Sequence, residues 1–349
     1  MNKKILLMSI VALSLILLIG ITAIATDEVY FGTYSKGMDN PYCVEWQPGA
    51  EVFAKSVGLE GHNKTFFCGW DSEKQLDDLR AFVADKAPNC TVNIDPNQST
   101  DIRAIVELLE SEGIYFVTQW NKPEDMNPWD YKYWVAHITF SDYDSGYNTT
   151  MEIAKILNGK GNIAALQGQL ANTAATERFR GLEAALKEYP NIKLLDNQSA
   201  EWLRQKAYDI TQKYLIAYPK IDAIWCANDN MALGTVEALR SQGLAGKIYV
   251  TGCDGTAEVF EMIKKGEVLA TVLSDAHWQG GIGHSLAYKA YKGELNPSSL
   301  PKDKRFFKYQ APLITKKNVD MYIENYINGM LNYDWDNPFP EDHKIPIKK

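Results

Sequence analysis

Short apolar runs of about six residues alternate with amphipathic stretches of about ten to eighteen residues from Val29 onward. This alternation is typical of βαβ units and predicts parallel sheets covered by helices. The predicted strands form two successive sets of five, and they start at Val29, Thr65, Cys90, Ile114 and Trp134, then at Asn162, Ile192, Ala223, Ile248 and Leu269. We therefore expect an α/β chain with two doubly wound parallel-sheet lobes.

Residues that cap or stop helices mark the segments between these strands. Gly113 and Gly159 follow two of the amphipathic stretches, in the position where a left-handed residue commonly ends a helix. The pattern predicts helices over residues 47–57, 72–85, 100–112, 143–158 and 277–292. The tail after Met330 is rich in turn-forming residues, and we expect it to lie along the surface.

The N-terminus has the pattern of a secretory signal. Lys3 and Lys4 precede a long uncharged apolar stretch, and small residues end at Ala25. We predict a signal peptide over residues 1–25. An uncleaved membrane anchor is the alternative, because the apolar run is long for a cleaved signal. A lipoprotein is disfavoured, since the first cysteine is Cys43.

Charge and motif content exclude several function classes. The chain of 349 residues has a formal net charge of −8 and no run of lysine or arginine, which argues against nucleic acid or an anionic membrane surface as partner. Its five cysteines and five histidines are dispersed without metal-ligand spacing, so we expect neither a metal nor another cofactor. Cys226 and Cys253 end neighbouring strands and could approach one another; whether they pair stays open.

Enzymatic activity has no support from motifs. The sequence contains no nucleophile elbow, no P-loop and no dinucleotide fingerprint. The glycines of residues 280–283 lie at a helix start without the strand and acidic partner that a dinucleotide site needs. We therefore predict a protein that is not an enzyme.

Polar side chains end two neighbouring strands of the second set. Asn228 follows an apolar strand and Asp254 follows the next, so both should lie at the carboxyl edge of the sheet, where ligands bind. We expect Asp229 and Thr256 to cap the following helices and to leave Asn228 and Asp254 free. In a secreted chain these two segments resemble the sugar-binding members of the periplasmic binding protein superfamily, the type I fold.

The resemblance implies two lobes joined by a three-strand hinge. The crossovers would fall at residues 138–142, after residue 274 and near residues 306–310. The implied N-terminal lobe is 26–139 plus 276–306, and the implied C-terminal lobe is 140–275 plus 307–349. Closure of the lobes around a ligand is what such a hinge permits.

The resemblance also implies a set of ligand-binding residues. In the first lobe, Asn40 would bind hydroxyls and Tyr42 would stack, while Cys43 stands where the family pattern has a second aromatic ring. Ribose binders carry an acidic-basic pair where this chain has Trp120 and Asn121, which makes a pentose read by that pair doubtful. The residues implied in the second lobe are Asn172, Arg178, Trp202, Asn228, Asp254 and Ser274, the last of which would reach the ligand through water.

These residues predict the ligand and partners. Aromatic rings suit the C–H faces of a sugar, and planar amide, carboxylate and guanidinium groups suit its hydroxyls. We expect a monomeric periplasmic protein that captures a neutral monosaccharide or polyol for the membrane permease of an ABC importer. A receptor that presents a sugar or furanosyl autoinducer to a chemoreceptor or sensor kinase is the alternative. The signal peptide disfavours a DNA-binding regulator of the same fold.

Overall fold

A computed structural model describes residues 28–328 and 333–337, so the predicted signal peptide lies outside the described residues. Two six-stranded sheets form the framework of the molecule. The first sheet contains β1 (Tyr30–Ser35), β2 (Asn63–Phe67), β3 (Cys90–Ile94), β4 (Phe116–Gln119), β5 (Trp134–Phe140) and β11 (Phe306–Tyr309). The second contains β6 (Lys160–Gln167), β7 (Asn191–Ser199), β8 (Ala223–Cys226), β9 (Tyr249–Thr251), β10 (Ala270–Val272) and β12 (Leu313–Thr315).

Both sheets are doubly wound. The strand order is β11-β5-β4-β3-β1-β2 in the first sheet and β12-β10-β9-β8-β6-β7 in the second. All pairings are parallel except that of β12, which runs antiparallel to β10. The ten predicted strand starts agree with the structure within two residues. The predicted fold class is confirmed.

Helices cover the faces of both sheets. They are α1 (Pro41–Val44), α2 (Trp46–Ser56), α3 (Ser72–Lys86), α4 (Ile102–Ser111), α5 (Asp142–Ile156), α6 (Thr173–Glu188), α7 (Arg204–Ala217), α8 (Asp229–Ser241), α9 (Ala257–Lys265), α10 (Ala276–Tyr291), α11 (Lys302–Arg305) and α12 (Val319–Tyr322), with 3₁₀ turns at 99–101, 128–130 and 297–299 and a π-helical turn at 323–327. The five predicted helices agree within two residues at each end. None of the described helices is both long and apolar enough to span a bilayer.

The chain passes between the sheets at three described places. Ser141 links β5 to α5, residues 273–275 link β10 to α10, and residues 310–312 link β11 to β12. Helix α10 packs against α2 and against the first sheet. The predicted hinge of three crossovers is therefore present. The described buried apolar residues form three clusters, one in the second lobe and two that lie mainly in the first.

The predicted assignment of residues 307–349 to the second lobe is wrong for two segments. β11 pairs with β5 in the first sheet as far as Tyr309, so the lobe boundary falls after that residue. Trp335 is 8% exposed and packs edge to face on Phe53 of α2, while its carbonyl accepts a hydrogen bond from Ser285 of α10. Gly281 makes room for the indole, because a Cβ there would lie 2.3 Å from the ring.

All five cysteines lie within the described residues, where each is buried and none forms a disulfide. Cys226 ends β8 and contacts the Thr235 hydroxyl at 3.3 Å. Burial raises the pKa of its thiol to about 12. The predicted approach of Cys226 and Cys253 therefore produces no bond, and these thiols are core groups.

Candidate functional site

A cavity of about 40 Å³ lies between the two lobes at the carboxyl edges of both sheets. We call it the primary cavity. Seven of the ten predicted residues line it: Asn40, Tyr42, Trp120, Arg178, Trp202, Asn228 and Asp254. The other three, Asn121, Asn172 and Ser274, do not line it.

Two of the wall residues also cap helices. Asn40 precedes α1 and accepts a hydrogen bond from the Tyr42 backbone N–H at 3.1 Å. Asn228 precedes α8 and accepts from the Met231 N–H at 2.9 Å. In each case the amide oxygen is used by the cap, so the amide nitrogen is the group that can donate to a ligand.

Asp229 does not cap a helix as predicted, whereas Thr256 occupies the N-cap position of α9 without a side-chain cap bond. Asn228 caps α8 itself, and the buried Asp229 carboxylate accepts hydrogen bonds from the N–H groups of Gly255 and Thr256 at 2.9 and 2.8 Å. It also accepts from the hydroxyls of Thr256 and Thr271. Burial raises the pKa of Asp229 to about 6, although these donors stabilise its charge. Asp229 therefore fixes the loop that carries Asp254.

Asp254 occupies a strained backbone conformation with φ of 142°. Its Oδ1 lies 3.6 Å from Nη1 of Arg178, while its Oδ2 is buried and has no hydrogen-bond partner among the described residues. Burial raises the pKa of this carboxyl well above its usual range, and Arg178 offsets only part of that rise. An unpaired buried oxygen costs about 1–3 kcal/mol, so a ligand hydroxyl that donates to it is strongly favoured.

Arg178 is the buried cation of the second-lobe wall. Its Nε donates to Asp142 at 2.8 Å and its Nη1 donates to the Ala227 carbonyl at 2.8 Å. The guanidinium lies 5.1 Å from the ring centre of Trp120 and 5.7 Å from that of Trp202. Arg178 thus stands between an indole of each lobe, and these cation–π contacts help to hold its plane.

Asn172 supports the site from behind. Its side-chain oxygen accepts from Nε1 of Trp202 at 2.6 Å, and its nitrogen donates to the Asn97 carbonyl of the first lobe at 2.8 Å. Gly168 leaves space for the Trp202 ring, because a Cβ there would lie 2.1 Å from it. The prediction that Asn172 lines the site is wrong in this structure; it orients Trp202 and joins the lobes.

The aromatic part of the first-lobe wall is hydrogen-bonded. Nε1 of Trp120 donates to the Tyr42 hydroxyl at 2.9 Å, and that hydroxyl donates to Oε1 of Gln279 on α10. The Trp120 ring also stacks on Phe140, with ring centres 5.7 Å apart. Gln279 lies far from Tyr42 in sequence and was not predicted. No local pattern could have indicated it.

An ion pair that sequence reasoning missed lies in the same wall. Nζ of Lys36 is 3.1 Å from Oδ2 of Asp95, and both residues are buried and line the primary cavity. Burial raises the pKa of Asp95 to about 6, while Lys36 opposes that rise. Lys36 follows β1 and Asp95 follows β3, so the strand-end rule that singled out Asp254 could have found them.

Asn121 holds this pair and does not line the cavity. Its amide nitrogen donates to Oδ1 of Asp95 at 3.2 Å and to the Pro96 carbonyl at 3.1 Å. The acidic-basic pair that is absent at Trp120 and Asn121 is thus present at the ends of β1 and β3. Cys43, Trp70 and Ala174 also line the cavity. In the described part of the chain, no three His, Cys, Asp or Glu residues are arranged to hold a metal.

Comparison with known proteins agrees with this geometry. A family model described as "Periplasmic binding protein domain" matches residues 31–295. The chain is 27% identical over 312 residues to a xylitol-binding protein of Mycolicibacterium smegmatis, covering 88% of this chain and 83% of that protein. It is 29% identical over 306 residues to the D-allose-binding periplasmic protein of Escherichia coli, covering 86% and 96%.

A solved structure is more similar still. The twin-arginine translocation pathway signal protein of Burkholderia phytofirmans is 40% identical, with a TM-score of 0.87, and the match covers 92% of this chain and 99% of that one. Both lobes and the hinge therefore fall within the shared region. The family of the matching model consists of binding proteins, not enzymes.

Proposed function

The chain belongs to the periplasmic binding protein family, and we propose that it captures a neutral monosaccharide or polyol in the primary cavity for uptake by an ABC importer. The observation that carries this proposal is the second-lobe wall. There the unpaired Oδ2 of Asp254 stands beside the guanidinium of Arg178. A pair of ligand hydroxyls can donate to the carboxylate and accept from the guanidinium.

Charge balance supports a neutral ligand. Each lobe contributes one cation and one carboxylate to the cavity wall: Lys36 with Asp95 in the first lobe, and Arg178 with Asp254 in the second. A sugar acid or an amine would bring an uncompensated charge into this buried space, which is costly. Hydroxyl-rich neutral molecules avoid that cost and still use all four groups.

The aromatic residues suit the apolar faces of the same ligand. Tyr42 and Trp120 line the cavity from the first lobe and Trp202 lines it from the second. Hydrogen bonds to charged groups contribute about 1.5–3 kcal/mol each. A few of them with ring contacts are sufficient for about −8 kcal/mol, which corresponds to a micromolar dissociation constant.

The relatives support the same class of ligand and an import role. Two of them are named for xylitol, a polyol, and for D-allose, an aldose. We infer a monomeric periplasmic protein that residues 1–25 direct to export and that delivers its ligand to a membrane permease. Catalysis, cofactor and metal form no part of this proposal. Presentation of the ligand to a sensor kinase has no specific observation in its favour.

A thermal-shift panel followed by calorimetry tests the proposal. Aldopentoses, aldohexoses, furanoses and sugar alcohols are added to the purified protein, and a ligand of the folded state raises the melting temperature. We expect micromolar binding of at least one neutral member without added metal, unchanged after dialysis against a chelator. Binding confined to sugar acids or amines, or lost with the chelator, would overturn it.

A further inference from the structure

A second cavity, of about 360 Å³, adjoins the primary cavity. We call it the hinge-side cavity and define it by Tyr42, Asp254, Thr256, Ser274, His277 and Tyr326. Tyr42 and Asp254 line both cavities, so the two spaces are neighbours at these side chains.

Unpaired polar atoms line this space. Oγ of Ser274 and Nδ1 of His277 are buried and have no hydrogen-bond partner among the described residues, as is also true of Oδ2 of Asp254. Ser274 is only 1% exposed. Three such atoms around one cavity indicate a ligand with hydroxyl or ether oxygens, since buried polar groups are normally paired.

Ser274 lies in the second crossover, and its short hydroxyl side chain is one of those that line the hinge-side cavity.

The charges around the hinge-side cavity favour a neutral occupant. At its outer side, Glu45 pairs with Nε2 of His277 at 2.9 Å and Glu258 pairs with Arg204 at 2.8 Å. Asp254 adds a carboxylate at the inner side. An anionic group, such as a phosphate or a uronate, would face three carboxylates here, and like charges in proximity repel.

We propose that the ligand is an O-substituted sugar or polyol, whose core unit occupies the primary cavity and whose neutral substituent occupies the hinge-side cavity. The chemical class is a glycoside, with a second sugar unit or a small neutral aglycone. Ser274 and His277 contact the substituent, while Glu45 and Glu258 are exposed at the outer end, where a longer substituent reaches solvent. This inference rests on the proposed function and makes it more specific.

Calorimetry with matched ligands tests the inference. Each sugar or polyol that raises the melting temperature is compared with its methyl and glucosyl O-derivatives. For at least one linkage position, we expect the glucosyl derivative to bind at least as tightly as the parent. Exclusion of every derivative, with the parent still bound, overturns the inference and leaves the proposed function intact. No binding of any parent or derivative overturns both.

A substitution at the outer wall locates the substituent. Ala257 begins α9, is exposed, and lines only the hinge-side cavity. Ala257→Phe should weaken the glucosyl derivative about tenfold and leave the parent unchanged, because the ring fills the space and the primary cavity is untouched. Ala257→Ser is the matched control and should bind both normally. Equal affinity of Ala257→Phe for parent and derivative would contradict the inference.

Discussion

The two walls of the primary cavity are held in different ways. In the first-lobe wall, side chains hold one another: Trp120 donates to Tyr42, Tyr42 donates to Gln279, and Asn121 donates to Asp95. In the second-lobe wall, main-chain groups take part together with side chains. Arg178 donates to a main-chain carbonyl, and Asp229 accepts from two main-chain N–H groups beside Asp254.

This difference predicts how each wall responds to substitution. Replacement of a group held by the backbone should affect only its immediate surroundings. The exception is a group whose charge is the partner of other buried charges. When a group held by other side chains is replaced, its hydrogen-bonding partners lose their positions as well. Stability and ligand affinity should therefore fall together. Four substitutions test this distinction, in decreasing order of expected effect.

Arg178→Ala should be the most damaging substitution. It leaves the buried carboxylates of Asp142 and Asp254 without their cation, and removal of one partner from a buried ion pair costs about 3–5 kcal/mol. Urea unfolding measures the loss. Arg180→Ala on the same helix is the control, because Arg180 is exposed and pairs with the half-buried Glu177 at the surface; it should change stability by less than about 0.5 kcal/mol. Similar losses in both variants would refute the buried cluster.

Tyr42→Phe tests the side-chain network of the first wall. Without the hydroxyl, Nε1 of Trp120 and Oε1 of Gln279 lose their shared partner, and each unpaired buried group costs about 1–3 kcal/mol. We expect both melting temperature and ligand affinity to fall. Tyr143→Phe is the control, since Tyr143 is 38% exposed. If affinity alone fell, the network would have no role in holding the wall.

Asp254→Ala should separate affinity from stability. The substitution removes two hydrogen-bond acceptors of the ligand and should lower affinity about tenfold, as about 1.4 kcal/mol is a factor of ten. The empty protein should be no less stable at neutral pH, because burial raises the pKa of this carboxyl and its ionised form is therefore disfavoured in the folded state. Calorimetry and thermal unfolding are the two measurements. Unchanged affinity would remove Asp254 from the site.

Asp95 should make ligand affinity depend on pH. Its pKa of about 6 means that lowering the pH from 7 to 5 protonates it, and affinity should fall about threefold because charged acceptors bind hydroxyls more strongly. Asp95 affects stability in the opposite direction, because its pKa is higher in the folded protein than in the unfolded chain. Its contribution to the free energy of unfolding is fully present below the unfolded pKa and is lost as the pH rises through about 6.

Asp95→Asn is the control for this effect. Asp229 has a similar pKa of about 6, so the variant shows which of the two carboxyls is responsible. Affinity should become nearly independent of pH in this range. An unchanged pH profile would assign the dependence to the loop held by Asp229 and not to the first-lobe wall.

The fold could be predicted from sequence because its determinants are local. Apolar runs, helix caps and glycine stops recur within ten to twenty residues of each other, which is the range that periodicity detects. The second-lobe residues Arg178, Asn228 and Asp254 belong to short strand-loop-helix motifs, and the structure places all three on the cavity wall.

The first-lobe wall could be predicted only in part. Lys36 and Asp95 meet because β1 and β3 are neighbours in the sheet, although three helices and a strand separate them in sequence before β3 begins. Gln279 reaches Tyr42 only because α10 returns across the hinge. Asn121 and Asn172 have strand-end positions like those of the wall residues, but tertiary partners turn them away from the cavity.

Trp335 packs against α2 and α10 of the first lobe, and this position determines where labels can report rotation of the lobes. Glu28 precedes β1, and Asp336 follows the buried indole, so both described ends of the chain belong to the same lobe. Two fluorophores attached there would stay at a fixed separation while the lobes turn about the hinge. One dye at Asp336 and another at Ile216 on α7, which is 87% exposed, would report that rotation as a change in energy transfer.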